Sequence, residues 1–113
     1  MPAGTAQLMI DGHDTGNTHA VSCLPLGWLT ILTIGSDTSG VTAYVSNEHS
    51  LVAKSVSIHD LGGFTGSYQQ GLGGNSAVRM TGRTYDITGV AHGFTADRPS
   101  ARTTGTFAIT VAC

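Results

Sequence analysis

The stretch that decides the fold runs from Thr84 to the end of the chain. It begins TYDITGVAHG (residues 84–93), continues through a polar loop with Asp97, Arg98 and Pro99, and ends GTFAITVAC (residues 105–113). In both halves one set of side chains recurs at every second position: Tyr85, Ile87, Gly89 and Ala91, then Phe107, Ile109, Val111 and Cys113. A period of two places alternate side chains on opposite faces of a strand. The stretch therefore predicts two antiparallel neighbouring strands.

The composition around this stretch favours β-structure throughout. Charged residues make up 11% of the 113 residues, against roughly 25% in an average soluble domain. Glycine, serine and threonine take their place, which suits short strands and tight turns. Five basic residues are scattered and outnumbered by seven acidic ones. Because no basic patch can follow a phosphate backbone, nucleic acid is not expected as a partner.

The rest of the chain repeats short apolar segments between turn-forming residues. The predicted strands are 7–10, 20–23 (ended near Pro25), 28–34, 41–45, 52–58, 64–68 and 77–80. Residues 13–18 and 71–75 are predicted to be turns or loops. With no long helical period, this spacing predicts an all-β fold, an antiparallel β-sandwich or partly open barrel of about eight short strands.

Two of these segments carry more specific expectations. The continuous apolar run 28–34 predicts a strand covered on both faces, with a short buried helix as the alternative. Lys54 shares the parity of Val52, Val56 and Ile58. That face of the strand is therefore predicted to be partly wet, or the strand bulged.

The two cysteines, Cys23 and Cys113, lie far apart in sequence. Their spacing excludes a zinc knuckle or a Cys-x-x-Cys redox motif. In an exported protein they would form one disulfide, worth roughly 4 to 5 kcal/mol in the chain-entropy model. The alternative is a pair of buried thiols in a cytosolic protein. The disulfide is the preferred interpretation, and it implies an oxidising compartment.

No constellation of residues predicts catalysis, a metal site or a cofactor. The five histidines, assigned to loops and strand ends, lack metal-ligand spacing: His13, His19, His49, His59 and His92. A Gly-x-Ser-x-Gly elbow is absent. Loop carboxylates leave a glycosidase-type acid pair open, although loops are where acids are expected in any case. Trp28 and Phe64 either line a ligand groove or fill the core, and the core is the preferred interpretation.

The first residues of the sequence are expected to lie outside the folded domain. Residues 1–5 have neither the charged nor the apolar region of a signal peptide, and no apolar run of about 18 residues predicts a membrane span. We expect residues 1–6 to be a disordered N-terminal tail and residues 7–113 a single β-sandwich ectodomain.

A series of short motifs resembles a known family. In order they are MIDG (9–12), VSC (21–23), IG (34–35), VAKSV (52–56), YQQGLGGNSA (68–77), GRTYDITGVAHG (82–93) and FAITVAC (107–113). This order, with both cysteines, is similar to the mycobacterial surface lipoprotein antigen family, the LpqH-like lipoproteins. The lipidated cysteine and the tether rich in threonine and serine that this family carries before the domain are missing from the sequence.

The resemblance implies an exported protein on the outer face of the cell-envelope membrane, made with a signal peptide and held by a palmitate-bearing N-terminal cysteine. Its implied function is that of a non-enzymatic, surface-exposed antigen and interaction module, with host or envelope proteins or lipids as partners. The alternative is a carrier that binds an acyl chain or glycolipid in an apolar cavity between the sheets. Trp28 and Phe64 are the ligand-binding candidates for that alternative.

Overall fold

A computed structural model describes residues 2–36, 39–48, 50–71 and 76–113. These residues form ten strands and no helix: β1 (Thr5–Ile10), β2 (His13–Thr18), β3 (Val21–Leu26), β4 (Leu29–Gly35), β5 (Gly40–Ser46), β6 (Val52–Leu61), β7 (Phe64–Gln69), β8 (Ser76–Thr81), β9 (Thr84–Thr95) and β10 (Arg98–Ala112). The all-β prediction is confirmed.

The ten strands belong to one antiparallel sheet that is nearly closed into a barrel. Its order is β2-β1-β10-β9-β7-β6-β5-β4-β3, and β8 pairs with β9 beside this path. Strands β3 to β7 follow one another as hairpins, whereas β7 pairs with β9. Of the two predicted forms, sandwich and partly open barrel, the chain adopts the barrel.

The inner face of the sheet holds one apolar core. In β9 the buried residues are Tyr85, Ile87 and Ala91, and in β10 they include Ile109 and Val111. This is the parity that the sequence shows. Burial of each large aliphatic side chain contributes roughly 1.5 to 3 kcal/mol, so the alternation along these two strands explains why they pair in this register.

The β9–β10 hairpin is longer than predicted. Residues Arg98 and Pro99, expected in a loop, belong to β10, whose first partner is Thr95. The register then shifts between Arg98 and Thr103. Side chains along this first part of β10 are exposed. Because neither face is buried there, the segment carries no apolar alternation that could have revealed it.

The prediction of a disordered tail over residues 1–6 is wrong for its last two residues, Thr5 and Ala6. Strand β1 starts at Thr5, and Ala6 is 0% exposed. The physical reason is pairing: Thr5 and Ala6 lie opposite Ala112 and Val111 at the end of β10. Met1 lies outside the described residues, and the assignment of residues 7–113 to a single ectodomain stays a prediction.

Two edge strands differ from the sequence expectations. The polar segment expected to be a turn is strand β2, which follows the Asp11–Gly12 turn and pairs with β1. Strand β3 continues through Pro25, which lies opposite Thr30. An edge strand tolerates proline because one side of its backbone has no ladder partner.

Strand β4 is buried on one face, not on both. Leu32 and Ile34 are buried, whereas Thr33 is exposed and Ile31 is half-buried. The hairpin partners β3 and β5 cover its edges, and no described element covers its outer face completely. The prediction of a doubly covered strand, like the alternative of a short helix, is therefore wrong.

Strand β6 contains the bulge that Lys54 predicts. Tyr44 lies opposite Ser55 and Val45 lies opposite Ala53, so Lys54 is the extra residue. Ala53 and Val56 both face the core as a result, while Lys54 is exposed. The predicted loop over residues 71–75 falls mostly outside the described residues, since only Gly71, in a turn, is described.

Candidate functional site

The disulfide between Cys23 and Cys113 is present. The two Cα atoms are 6.0 Å apart, within the roughly 7 Å that a disulfide allows. Cys23 lies in edge strand β3, and Cys113 directly follows β10. Its N–H group donates to the carbonyl oxygen of Arg83 at 2.9 Å. The disulfide thus joins two parts of the chain that lie far apart in the strand order of the sheet.

Phe64 lies in the core, as preferred from the sequence. Its side chain is 2% exposed, and two glycines make room for its ring. A Cβ atom added to Gly66 would lie 2.6 Å from Cζ of Phe64, and one added to Gly105 would lie 3.0 Å from it. The ring therefore fills interior space, and glycine at both positions is what the ring requires.

Trp28 lies on the surface, and its predicted place in the core is wrong. It belongs to the two-residue turn between β3 and β4 and is 61% exposed. The strand registers place this turn beside Ser46, at one end of the sheet, and Phe64 beside Thr95, at the other. The structure does not bring Trp28 and Phe64 together.

Trp28, in this turn, adjoins an apolar area on the outer face of β3, β4 and β5. Leu24 is 50% exposed and Leu26 is 54% exposed. Leu24 lies opposite Ile31, and Ile31 lies opposite Tyr44, which is also exposed. We call Leu24, Leu26, Trp28, Ile31 and Tyr44 the apolar patch. The sequence did not reveal this patch, because the apolar run 28–34 is typical of a strand covered on both faces.

Two grooves on the outer face have mixed polar and apolar linings. One, of about 490 Å³, includes Arg79, Asp86 and Thr110 among its lining residues, and the Thr110 hydroxyl donates to the Asp86 carboxylate at 2.8 Å. The other, of about 340 Å³, is lined by residues that include His59 and His92. Sequence spacing did not bring these two histidines together, since their strands, β6 and β9, are related only through β7.

Within the described part of the chain, no three residues among His, Cys, Asp and Glu form a group that could hold a metal ion. His13 lies in β2 and His19 directly after it, while His49 lies outside the described residues. Across the same described part, no helix is long and apolar enough to span a membrane.

The carrier alternative receives no support from the interior. The space between the inner faces is filled by large buried side chains, among them Phe64, Leu32 and Ile58. The two large grooves described above are open, partly polar and lined by neither Trp28 nor Phe64. Lipid carriage therefore stays a prediction.

The whole chain, residues 1–113, matches the family described as Mycobacterium 19 kDa lipoprotein antigen. This chain belongs to that family. A putative lipoprotein of Mycobacterium avium subsp. hominissuis (strain TH135) is 41% identical over 112 residues, which cover 98% of this chain and 77% of the relative. A putative lipoprotein of Mycobacterium indicus pranii is 38% identical, with 98% and 80% covered. Lipoprotein LpqH of Mycobacterium avium is 33% identical, with 98% and 69% covered.

Membership of the 19 kDa lipoprotein antigen family confirms the resemblance drawn from the motifs. It makes the protein a cell-envelope lipoprotein of mycobacterial type, and the family is not a known enzyme family. The disulfide agrees with this assignment, because structural disulfides persist in oxidising compartments outside the cytosol.

Proposed function

We propose that this domain is the non-enzymatic ectodomain of a lipid-anchored lipoprotein on the outer face of the cell-envelope membrane, where it acts as an antigen and interaction module. The observation that carries the proposal is the match to the 19 kDa lipoprotein antigen family along the entire chain. The Cys23–Cys113 disulfide supports export independently. The partners are host or envelope proteins or lipids, which bind the outer surface of the barrel.

Anchoring is tested on the full-length protein in a mycobacterial host. Cells grown with an alkyne-bearing palmitate should label the protein, and the label should disappear when the N-terminal cysteine that precedes this domain is replaced by serine. Protease added to intact cells should remove the domain. Persistent protection from protease, with a cytosolic control protein also intact, would contradict exposure on the outer face.

The interaction role is tested by affinity capture from host-cell and envelope extracts. The oxidised domain is the bait, and the control is the Ala53→Lys variant, reduced and alkylated at Cys23 and Cys113 and shown by circular dichroism to be unfolded. A partner that depends on the folded surface should be retained by the first bait and lost from the second. Equal retention by both baits would indicate adhesion to unfolded chain and would contradict a specific module.

The carrier alternative rests on the apolar run of residues 28–34, whose first residue, Trp28, is 61% exposed. Native mass spectrometry of the protein isolated from mycobacterial cells separates the two functions. A bound acyl chain or glycolipid in fixed stoichiometry supports carriage. A bare protein mass, under conditions that preserve a known lipid carrier with its ligand, counts against it.

A further inference from the structure

The apolar patch is a group of neighbouring residues, not a set of scattered exposed side chains. Leu24 and Leu26 alternate along the outer face of β3, and Trp28 follows in the adjoining turn. Tyr44 joins them through Ile31, two strands away. Single exposed apolar residues are normal on soluble proteins, but a contiguous group marks a contact surface. The question is what covers it.

The chemistry of the patch favours a lipid surface. Strands β3, β4 and β5 contain no Asp, Glu, Lys or Arg, and none occurs anywhere in residues 16–36. Tryptophan and tyrosine combine a large apolar ring with one polar group, which suits the boundary between lipid tails and headgroups. Exposed leucines beside them supply apolar area that can enter that boundary.

The edge of β3 is poorly suited to a second copy of the chain. Within the described residues β3 pairs only with β4, so its other side is a free edge. Pro25 lies in the middle of this strand and has no N–H group. An added strand would lose a ladder hydrogen bond there, and proline on edges is a known protection against such pairing. What remains available for contact is the outer face with its side chains.

The position of the patch agrees with a membrane anchor on the N-terminal side. The N–H group of Gly4 donates to the carbonyl oxygen of Ala112 at 2.8 Å, and the next residue, Cys113, is bonded to Cys23. Leu26 and Trp28 follow Cys23 within five residues along the chain, at the same end of the sheet. A lipid attached before this domain, as the proposed function requires, would hold that end nearest the bilayer.

One basic side chain, Lys54, lies next to the patch, and another, Arg83, lies at the same end of the sheet. Arg83 lines a groove of about 220 Å³ together with Cys23 and Cys113. Lys54 is exposed at the bulge opposite Tyr44 and Val45. Lys54 can reach lipid phosphates while its apolar neighbours enter the boundary region, since long basic side chains extend toward headgroups.

We propose that the apolar patch rests on the bilayer surface, with Trp28 at the level of the headgroups, so that the anchored domain has a fixed orientation on its membrane. This inference relies on the proposed lipid anchor. It makes the β3–β4 hairpin a second, non-covalent attachment and leaves the β6–β7 and β9–β10 turns, at the opposite end, facing outward.

The test uses the only tryptophan in the chain as its reporter. The oxidised domain is attached through an N-terminal hexahistidine to phosphatidylcholine vesicles that contain a nickel-chelating lipid. On attachment we expect the Trp28 emission to shift to shorter wavelength and to be quenched by brominated phosphatidylcholine. The joint variant Leu24→Ser and Leu26→Ser should lower the ratio of docked to undocked protein by about tenfold or more, because the apolar area that enters the bilayer is lost.

The matched control is Phe94→Ser, which removes an exposed aromatic residue from the opposite end of β9. It should leave both signals unchanged, and thermal unfolding must show that every variant is folded. Unchanged Trp28 emission on attachment, or equal quenching in both variants, would overturn the proposal. A shift that grows with protein concentration without vesicles would also overturn it, in favour of a second copy. The tag replaces the native lipid, so the two experiments are independent. A negative docking result would not contradict the proposed lipid anchor, and a negative palmitate-labelling result would not contradict docking of the patch.

Discussion

Cys23 and Cys113 connect strands that share no hydrogen-bonded ladder, since β3 pairs with β4 while β10 pairs with β1 and β9. Replacement of Cys23 by serine should lower the free energy of unfolding by roughly 2 to 5 kcal/mol, because the unfolded chain gains the freedom of the opened loop. The strand order should be unchanged. Urea unfolding followed by circular dichroism measures the difference. Wild-type protein, reduced and alkylated, should lose a similar amount, and two free thiols per unreduced, unfolded chain would contradict the disulfide.

Gly93 allows the backbones of β7 and β9 to approach each other closely. A Cβ atom there would lie 1.9 Å from the carbonyl oxygen of Thr65 and 2.4 Å from Cα of Gly66. The Gly93→Ala variant should therefore force β7 and β9 apart and cost about 3 kcal/mol of stability. Thermal unfolding tests this, with the exposed neighbour His92→Ala as the control, expected within about 0.5 kcal/mol of wild type. Equal stability of the two variants would show that the strands separate without cost.

The sequence predicted single residues well where the signal is local. The inward parity of Tyr85, Ile87 and Ala91 follows from alternation alone, which is a property of consecutive residues. Trp28 was misplaced because an apolar run does not show where its turn lies. The signal that the sequence does contain is Gly27, because a glycine before an apolar run fits a two-residue hairpin turn. In the structure Gly27 has a φ angle of 67°, which favours glycine.

Strand β6 supports a prediction at the scale of elements. The bulge directs Lys54 outward and leaves Ala53 facing the core, where it is buried. Lys54→Ala should thus change stability by no more than about 0.5 kcal/mol. Ala53→Lys should destabilise by about 4 kcal/mol, since it places an unpaired charge in the core. Urea unfolding of the two variants measures the contrast, and a large loss from Lys54→Ala would show that the bulge lies elsewhere.

Elements without a buried face were the ones that the sequence could not reveal. Strand β2 is mostly exposed, and so is the first part of β10; both are held by backbone pairing with a neighbour rather than by apolar burial. The start of β1 at Thr5 is buried, but it too depends on pairing with a distant segment, the far end of β10. Pairing between distant segments leaves no periodic pattern in either one.

Closure of the sheet is a property of the whole molecule. The sequence did not decide between a β-sandwich and a partly open barrel. The order of strands brings β7 next to β9 and passes over β8, a choice that no local pattern encodes. The apolar patch depends on the same global arrangement. Leu24 and Leu26 are exposed because β3 ends the sheet and nothing in the described residues covers its outer face. The family resemblance, by contrast, rested on motif order and was confirmed.

The last prediction concerns how the disulfide acts on this arrangement. Strand β3 has one ladder partner, whereas β10 lies between β1 and β9. Without the disulfide, opening of β3 from β4 should need less free energy than global unfolding. In Cys23→Ser, amide hydrogen exchange in β3 should rise by about tenfold or more relative to β9 and β10. Gly93→Ala is the control, since it destabilises the β7–β9 contact and should not single out β3. If exchange rises uniformly across all strands in both variants, the disulfide stabilises the molecule only as a whole, and the β3–β4 edge opens no more readily than the rest of the sheet.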